Sequence, residues 1–206
     1  MKFPNKKSKN FKEFLEAYKK EANRLINENH QTELEKISKI LFKFYNSKKT
    51  LFVCGNGGSA SIAEHFVCDH QKLLASTKRF KPKVISLSSN LPLITAIAND
   101  VDYSSVFSDQ LKYNFESGDI LFVISASGNS PNILEALKFA KKNKIFTISF
   151  TGFNGGKAKK LSDINLHCRS FNYGIVEMMH HNFMNIIAQY LRQKVLSKKE
   201  IKKIFF

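Results

Sequence analysis

Two groups of side chains have the types and the spacing of an acid–base or metal-binding centre. His65 and Asp69 stand four residues apart in EHFVCDH, so on a helix both lie on one face. Glu177 and His180 stand three apart in VEMMHH, a spacing that can bind metal by itself, and His181 follows at four. An imidazole beside a carboxylate can move a proton or hold a cation. The alternatives are a surface ion pair at 65 and 69 and packed histidines at 180 and 181.

Three loops rich in serine, glycine and asparagine follow buried strands. They read GNGGSA from Gly55, SASGNS from Ser125 and TGFNGG from Thr151. Glycine lets the backbone approach a ligand, and the first N–H groups of a helix bind anions. The hydroxyls of Ser125, Ser127 and Ser130 add neutral donors. Because none of the loops carries Lys or Arg, and GNGGSA is not GxGxxG, the pattern predicts a sugar-phosphate site without a nucleotide cofactor.

Strands and helices that must position these loops alternate along the chain. Short apolar runs predict five strands, at 50–54, 83–87, 119–124, 145–150 and 164–167. Helical spacing predicts seven helices, at 10–28, 32–46, 59–74, 92–98, 131–142, 157–161 and 174–196. This alternation indicates an α/β fold, with a parallel sheet covered by helices on both faces. Ligands of such sheets bind beyond the carboxyl ends of the strands, where the three loops lie.

Composition and charge narrow the class of protein. The chain has 206 residues, 43% of them hydrophobic, and a net charge of +16, as expected of a basic globular protein. Residues 1–24 carry eight Lys or Arg against three Glu, and residues 192–206 carry six against one. These ends lack aromatic residues interleaved with Arg and any nucleic-acid motif, so we interpret them as solvated surfaces and expect no nucleic-acid partner.

Neither a membrane span nor a secretion signal is expected. No stretch approaches the roughly 20 apolar residues that a span needs, and the first residues, MKFPNKKSKNF, have no apolar signal core. We therefore expect a cytoplasmic protein without a membrane partner. Its cysteines, Cys54, Cys68 and Cys168, lack zinc-ribbon or CxxC spacing and are predicted to be free thiols.

The motifs CGNGGSA, ISASGNS, TGFNGG and LITAIANDVDYSSVF, with the last helix after FNYG, resemble the sugar isomerase (SIS) domain. Within it the chain resembles the phosphoheptose isomerase branch, over roughly residues 30–192. The resemblance implies a flavodoxin-like three-layer fold with a five-stranded parallel sheet, and a homotetramer with active sites at subunit interfaces. We expect a single SIS domain over 1–206, with an N-terminal helical pair at 1–48 and an α/β core at 49–206.

The resemblance also implies roles for individual residues. It suggests a base-and-zinc site on the helix after CGNGG and on the last helix, with Asp69 as a catalytic residue on the first. On the last helix the spacing from Glu177 favours His180 as the second catalytic residue, and His181 could substitute for it. The resemblance suggests zinc as the cofactor, held by His65, Asp69 and Glu177. The residues predicted to bind the substrate or its phosphate are Asn56, Gly57, Gly58, Ser59, Asn99, Asp100, Ser125, Ala126, Ser127, Ser130 and Glu177.

The chain departs from the family pattern at three positions. The pattern has Glu where this chain has Asp69, Gln where it has Glu177, and His where it has Asn185. The first hypothesis is an aldose–ketose isomerase that converts sedoheptulose 7-phosphate to D-glycero-D-manno-heptose 7-phosphate through an enediol, for surface-glycan heptose synthesis. The second is a non-catalytic phosphosugar-binding protein, such as a partner of the bacterial replication initiator.

Overall fold

Five short strands form one parallel sheet in the computed structural model, which describes residues 3–204. The strands are β1 (Thr50–Gly55), β2 (Lys83–Ser86), β3 (Ile120–Ser125), β4 (Phe146–Thr151) and β5 (Ile164–His167). Their order across the sheet is β2-β1-β3-β4-β5, and every pairing is parallel. The predicted five-stranded flavodoxin-like sheet is confirmed, and each strand lies within one residue of its predicted bounds.

Helices cover both faces of the sheet. They are α1 (Phe11–Ile26), α2 (Gln31–Phe44), α3 (Gly58–Val67), α4 (Leu91–Asp100), α5 (Ser108–Asn114), α6 (Pro131–Lys142), α7 (Ala158–Leu161), α8 (Tyr173–Val195) and α9 (Lys198–Ile201). Side chains of β3 alternate between two cores, because successive residues of a strand face opposite sides. Phe122 and Ile124 pack with α1, α2, α3 and α8, whereas Leu121 and Val123 pack with α4, α5 and α6. Within residues 3–204 no helix is long and apolar enough to cross a membrane.

The helix predicted at 59–74 is interrupted. α3 ends at Val67, and a π-helical turn, Cys68–Leu73, continues from it. Its His70 is fully buried, stacks on Phe66 and meets the Tyr45 hydroxyl at 2.5 Å. A wider turn at this point follows from tertiary packing, which periodicity does not report.

Three short elements were not predicted from the sequence. They are α5, α9 and a 3₁₀ turn, Tyr103–Ser105. They are too short for a periodic apolar pattern, and side-chain caps define two of them. Asp102 accepts from the Ser104 N–H at 2.7 Å, and Ser197 and Glu200 form a capping box.

Candidate active site

A cavity of about 280 Å³ lies at the carboxyl edge of the sheet, between the loop after β1 and the loop after β3. Helices α3 and α6 both begin at this cavity. It is lined by Asn56, Gly57, Gly58, Ser59, Ile124, Ser125, Ala126, Ser127, Ser130, Tyr173 and Glu177. Two helix N-termini that meet at one cavity favour an anionic ligand.

The serine loop presents hydroxyl donors to this cavity. Ser125 Oγ accepts from the Gly128 N–H at 3.1 Å, and Ser127 Oγ accepts from the Asn129 N–H at 3.2 Å. A hydroxyl that accepts from the backbone keeps its own O–H free to donate. Ser130 precedes α6 without a capping hydrogen bond from its side chain. The loop therefore has at least two hydroxyls whose hydrogens can turn toward an acceptor such as phosphate.

Gly128 lets the serine loop touch the TGFNGG loop backbone to backbone. Its φ is +62°, and a Cβ there would collide with the Gly155 carbonyl. Its own carbonyl accepts from the Ala158 N–H at 2.9 Å. Only glycine combines this backbone conformation with so close an approach.

The cavity lining is nearly neutral. No Lys or Arg is among the lining residues in the described part of the chain, and its one charged side chain is Glu177. That carboxylate lies against Gly58, at the N-terminus of α3, where a Cβ would collide with it. Burial raises the pKa of Glu177 above its ordinary value. Backbone N–H groups and hydroxyls therefore carry any anion binding in this cavity.

A second cluster joins α3 to α8. His65 Nδ1 lies 2.7 Å from His181 Nε2, and His65 Nε2 lies 3.4 Å from Asp69 Oδ1. The side chains of His65 and Asp69 are 44% and 20% exposed, so solvent or a ligand can reach both. Burial, and then the neighbouring His65, lower the pKa of His181, while Asp69 opposes the shift. We call this cluster the histidine centre.

Three predicted site residues lie away from both groups. His180 is fully buried in the core, beside the Phe150 ring, and burial lowers its pKa to about 4. That position gives a substrate no access to its ring. Asn99 and Asp100 are exposed at the end of α4, where the Asn99 amide donates to Asp100 at 2.8 Å, and neither lines the cavity.

The predicted zinc ligands are only partly brought together. Within residues 3–204 no three His, Cys, Asp or Glu side chains are grouped closely enough to hold a metal ion. His65 and Asp69 are neighbours in the histidine centre, whereas Glu177 lines the phosphate cavity one helical turn before His181. Imidazole and carboxylate are nevertheless donor types that zinc takes.

Three residues near the cavity were missed by the sequence reasoning. Tyr173 lines it, the Tyr103 hydroxyl donates to Asn56 Oδ1 at 3.3 Å, and Asn132 pairs with the Asn56 amide. Both tyrosines are exposed aromatic residues beside recognised motifs, a signal that was available. Ser88, which lies just after β2, accepts from the Gly55 N–H and donates to the Gly55 carbonyl, and so holds the first loop.

A parallel α/β sheet with a hydroxyl-lined anion cavity at its carboxyl edge is the architecture of the SIS domain. The family model described as the SIS domain matches residues 13–152, more than half of the chain.

Comparisons with whole proteins give a narrower assignment. A phosphoheptose isomerase of Aliarcobacter butzleri is 39% identical over 183 residues, 89% of this chain and 95% of that protein. One of Helicobacter pylori is 35% identical over 192 residues, 91% and 96%. The solved phosphoheptose isomerase of Neisseria gonorrhoeae has a TM-score of 0.81 at 25% identity, with 89% of this chain and all of that chain covered. The chain belongs to the phosphoheptose isomerase family of SIS domain proteins.

Proposed function

We propose that the protein interconverts an aldose and a ketose phosphate, with sedoheptulose 7-phosphate and D-glycero-D-manno-heptose 7-phosphate as the pair. The observation that carries the proposal is the neutral cavity at the start of α3 and α6, with its serine hydroxyls. The names of the relatives support the choice of sugar. The histidine centre joins α3 to α8, the helix that also carries Glu177. Its imidazole and carboxylate groups support the proton transfer that isomerisation needs.

The phosphate is held by the serine loop and by the helix N-termini. Ser125, Ser127 and Ser130 donate hydroxyl hydrogens, and the backbone at Gly57 and Gly58, at the start of α3, donates N–H groups. Among the described residues, no cationic side chain lines the cavity to pair with a bound phosphate dianion. The affinity for phosphate therefore depends on the number and the geometry of these neutral donors. The phosphate thus anchors one end of the sugar and leaves its C1–C2 end to the acid–base groups.

Isomerisation moves one proton between C1 and C2 and needs a base and an acid within hydrogen-bond reach. Asp69 is the proposed base, since it is partly exposed and adjacent to an imidazole. The burial of His180 makes His181 the histidine of α8 that is better placed for the second proton transfer. The family pattern has a histidine where this chain has Asn185. In this assignment His181, one helical turn earlier on α8, takes the role of that histidine.

Zinc is part of the proposal. His65 and Asp69 fit it by donor type and proximity, and Glu177 offers a carboxylate on the neighbouring helix. A bound zinc ion would polarise the carbonyl of the substrate. The side chains themselves orient the sugar and carry the proton.

The decisive experiment is an NMR assay of sedoheptulose 7-phosphate in D₂O, with added zinc and with a chelator. We expect an aldose product that carries deuterium at C2, because an enediol exchanges its proton with solvent. His65→Gln should abolish turnover and keep phosphate-dependent binding, whereas Ser61→Ala, on an exposed position of α3, should change neither.

Each alternative has its own result. Binding without turnover in the unmodified protein would favour a phosphosugar-binding protein, the second hypothesis. Neither binding nor turnover would overturn the proposal. Turnover unaffected by the chelator would remove zinc from it and retain the proton chemistry.

A homotetramer is also proposed. An apolar groove of about 430 Å³ runs between α2 and α8, with Leu34, Phe183, Ile186 and Tyr190 in its lining, and Phe11 on α1 is 77% exposed. Such surfaces are typical of subunit contacts. Light scattering should give four times the 23.6 kDa chain mass, and Ile186→Lys should lower it. A monomer at micromolar concentration would contradict this.

Two further predictions belong to the proposal. We propose that residues 1–206 act as one SIS domain, which limited proteolysis should leave as a single resistant core. We also propose a cytoplasmic location, which cell fractionation would check.

A further inference from the structure

Asn132 and Asn56 form a reciprocal amide pair that connects two loops of the phosphate cavity. Asn56 Nδ2 donates to Asn132 Oδ1 at 2.8 Å, and Asn132 Nδ2 donates back to Asn56 Oδ1 at 2.9 Å. Asn132 lies in the first turn of α6 and is 1% exposed. Asn56 lines the cavity and Asn132 does not. Asn132 therefore has no direct contact with the cavity, and its side-chain partner Asn56 does.

The backbone fixes the orientation of both amides. The Ile133 N–H donates to Asn132 Oδ1 at 3.0 Å. A backbone N–H needs an oxygen opposite it, so the Asn132 amide cannot be turned over without losing this bond. The oxygen of Asn132 in turn requires the Asn56 nitrogen opposite it. Tyr103 strengthens the same orientation, since its hydroxyl donates to Asn56 Oδ1 at 3.3 Å.

These bonds leave Asn56 one hydrogen-bonding group. Its oxygen accepts from Asn132 and from Tyr103, which uses both lone pairs. Its nitrogen gives one hydrogen to Asn132, and the second hydrogen remains. Over residues 3–204 the cavity is lined by hydroxyls and backbone amides rather than by Lys or Arg. One more fixed N–H is therefore a sizeable fraction of the hydrogen-bond donors that the cavity offers to a ligand oxygen.

We propose that Asn132 is a positioning residue for the sugar phosphate, which holds the Asn56 amide so that its remaining N–H donates to an oxygen of the ligand. The inference rests on the proposed function, because the ligand is the sugar phosphate of that proposal. It adds a residue outside the cavity to those that determine substrate binding.

The test replaces Asn132 by a shorter residue that still serves α6. In Asn132→Ser the hydroxyl can accept from a backbone N–H of the first turn and cannot span the distance to Asn56. We expect the dissociation constant of sedoheptulose 7-phosphate and its KM to rise about tenfold, the cost of one hydrogen bond to a charged ligand. We expect kcat to fall less than threefold, because the donor serves substrate and transition state alike.

Asn143→Ser is the matched control. Asn143 caps the opposite, C-terminal end of α6. Its side-chain amide donates to the Phe139 carbonyl at 2.9 Å. Its loss should leave binding unchanged. If Asn132→Ser does not fold, Tyr103→Phe tests the same amide from the other side and should raise the dissociation constant two- to threefold.

A double-mutant cycle separates positioning from a structural role. If Asn132 acts through Asn56, Asn56→Ala combined with Asn132→Ser should weaken binding no more than Asn56→Ala alone. Effects that multiply, or unchanged binding in both Asn132→Ser and Tyr103→Phe, would overturn the inference and leave the proposed function intact. Failure of the unmodified protein to bind sedoheptulose 7-phosphate would overturn both.

Discussion

The phosphate cavity and the histidine centre are built in different ways, although they share α3 and α8. The cavity consists of backbone and hydroxyl groups fixed by hydrogen bonds within the serine loop and between that loop and the TGFNGG loop, and it keeps the GNGGSA and SASGNS motifs whole. The histidine centre consists of side chains on α3, on the π-helical turn that follows it and on α8, and it contains the Asp69 departure from the family pattern. The comparison teaches that main-chain contacts constrain the shape of the cavity, whereas the side chains of the histidine centre can be replaced one at a time.

The largest expected effect is on catalysis, in a variant of the histidine centre that leaves the phosphate cavity unchanged. His181→Gln should lower kcat at least a hundredfold, as removal of an acid–base group commonly does, with the dissociation constant of phosphate unchanged. The measurement is steady-state NMR kinetics beside a phosphate titration. A similar fall in Gln189→Ala, an exposed position on α8, would instead indicate a general effect on that helix.

The next prediction breaks the cavity. Gly128→Ala places a Cβ against the Gly155 carbonyl at a φ of +62°, so we expect the free energy of unfolding to fall by about 3 kcal/mol and phosphate binding to be lost. Urea denaturation measures the first and ³¹P NMR the second. Gly118→Ala, with a positive φ but only the flexible Lys49 nearby, should cost less and bind normally.

The stability of the fold should depend on pH through the buried His180 of α8. Burial lowers the pKa of His180 to about 4, from about 6.5 in the unfolded chain, so below pH 6.5 the unfolded state binds the proton first. Stability should therefore fall as the pH drops from about 6.5 to about 4, by about 2 kcal/mol at pH 5 from this group. Urea midpoints at pH 7 and 5 measure it, and His180→Leu should reduce the dependence in part. Burial also lowers the pKa of His70 to about 3 and that of His167 to about 4, so these two histidines should keep the remainder. An equal slope in that variant would contradict this origin.

The smallest expected effect tests whether the cavity binds phosphate through many weak hydrogen-bond donors. Ser127→Ala should raise the KM for the sugar phosphate about tenfold and leave kcat within threefold, since one hydroxyl donor is lost. Ser76→Ala, an exposed serine far along the chain, is the control. A large fall in kcat with unchanged KM would place Ser127 in the chemistry instead.

Much of this could be predicted from the sequence, for identifiable reasons. Apolar runs fixed the strands because both faces of β1 and β3 are buried, and glycine and serine at strand ends revealed the loops. The roles of His180 and His181 could not be separated. They differ by about 100° around α8, and much of that helix is apolar, so only its packing decides which one faces α3.

The contact between Gly128 and the TGFNGG loop constrains how the substrate range of this protein can evolve. Where two main chains touch, no side chain is available to exchange, and any added atom displaces both loops. Changes of specificity are therefore expected at exposed side chains such as Tyr173, which lines the cavity, and Tyr103, which bonds to Asn56. Such changes would leave the contact between the two loops intact.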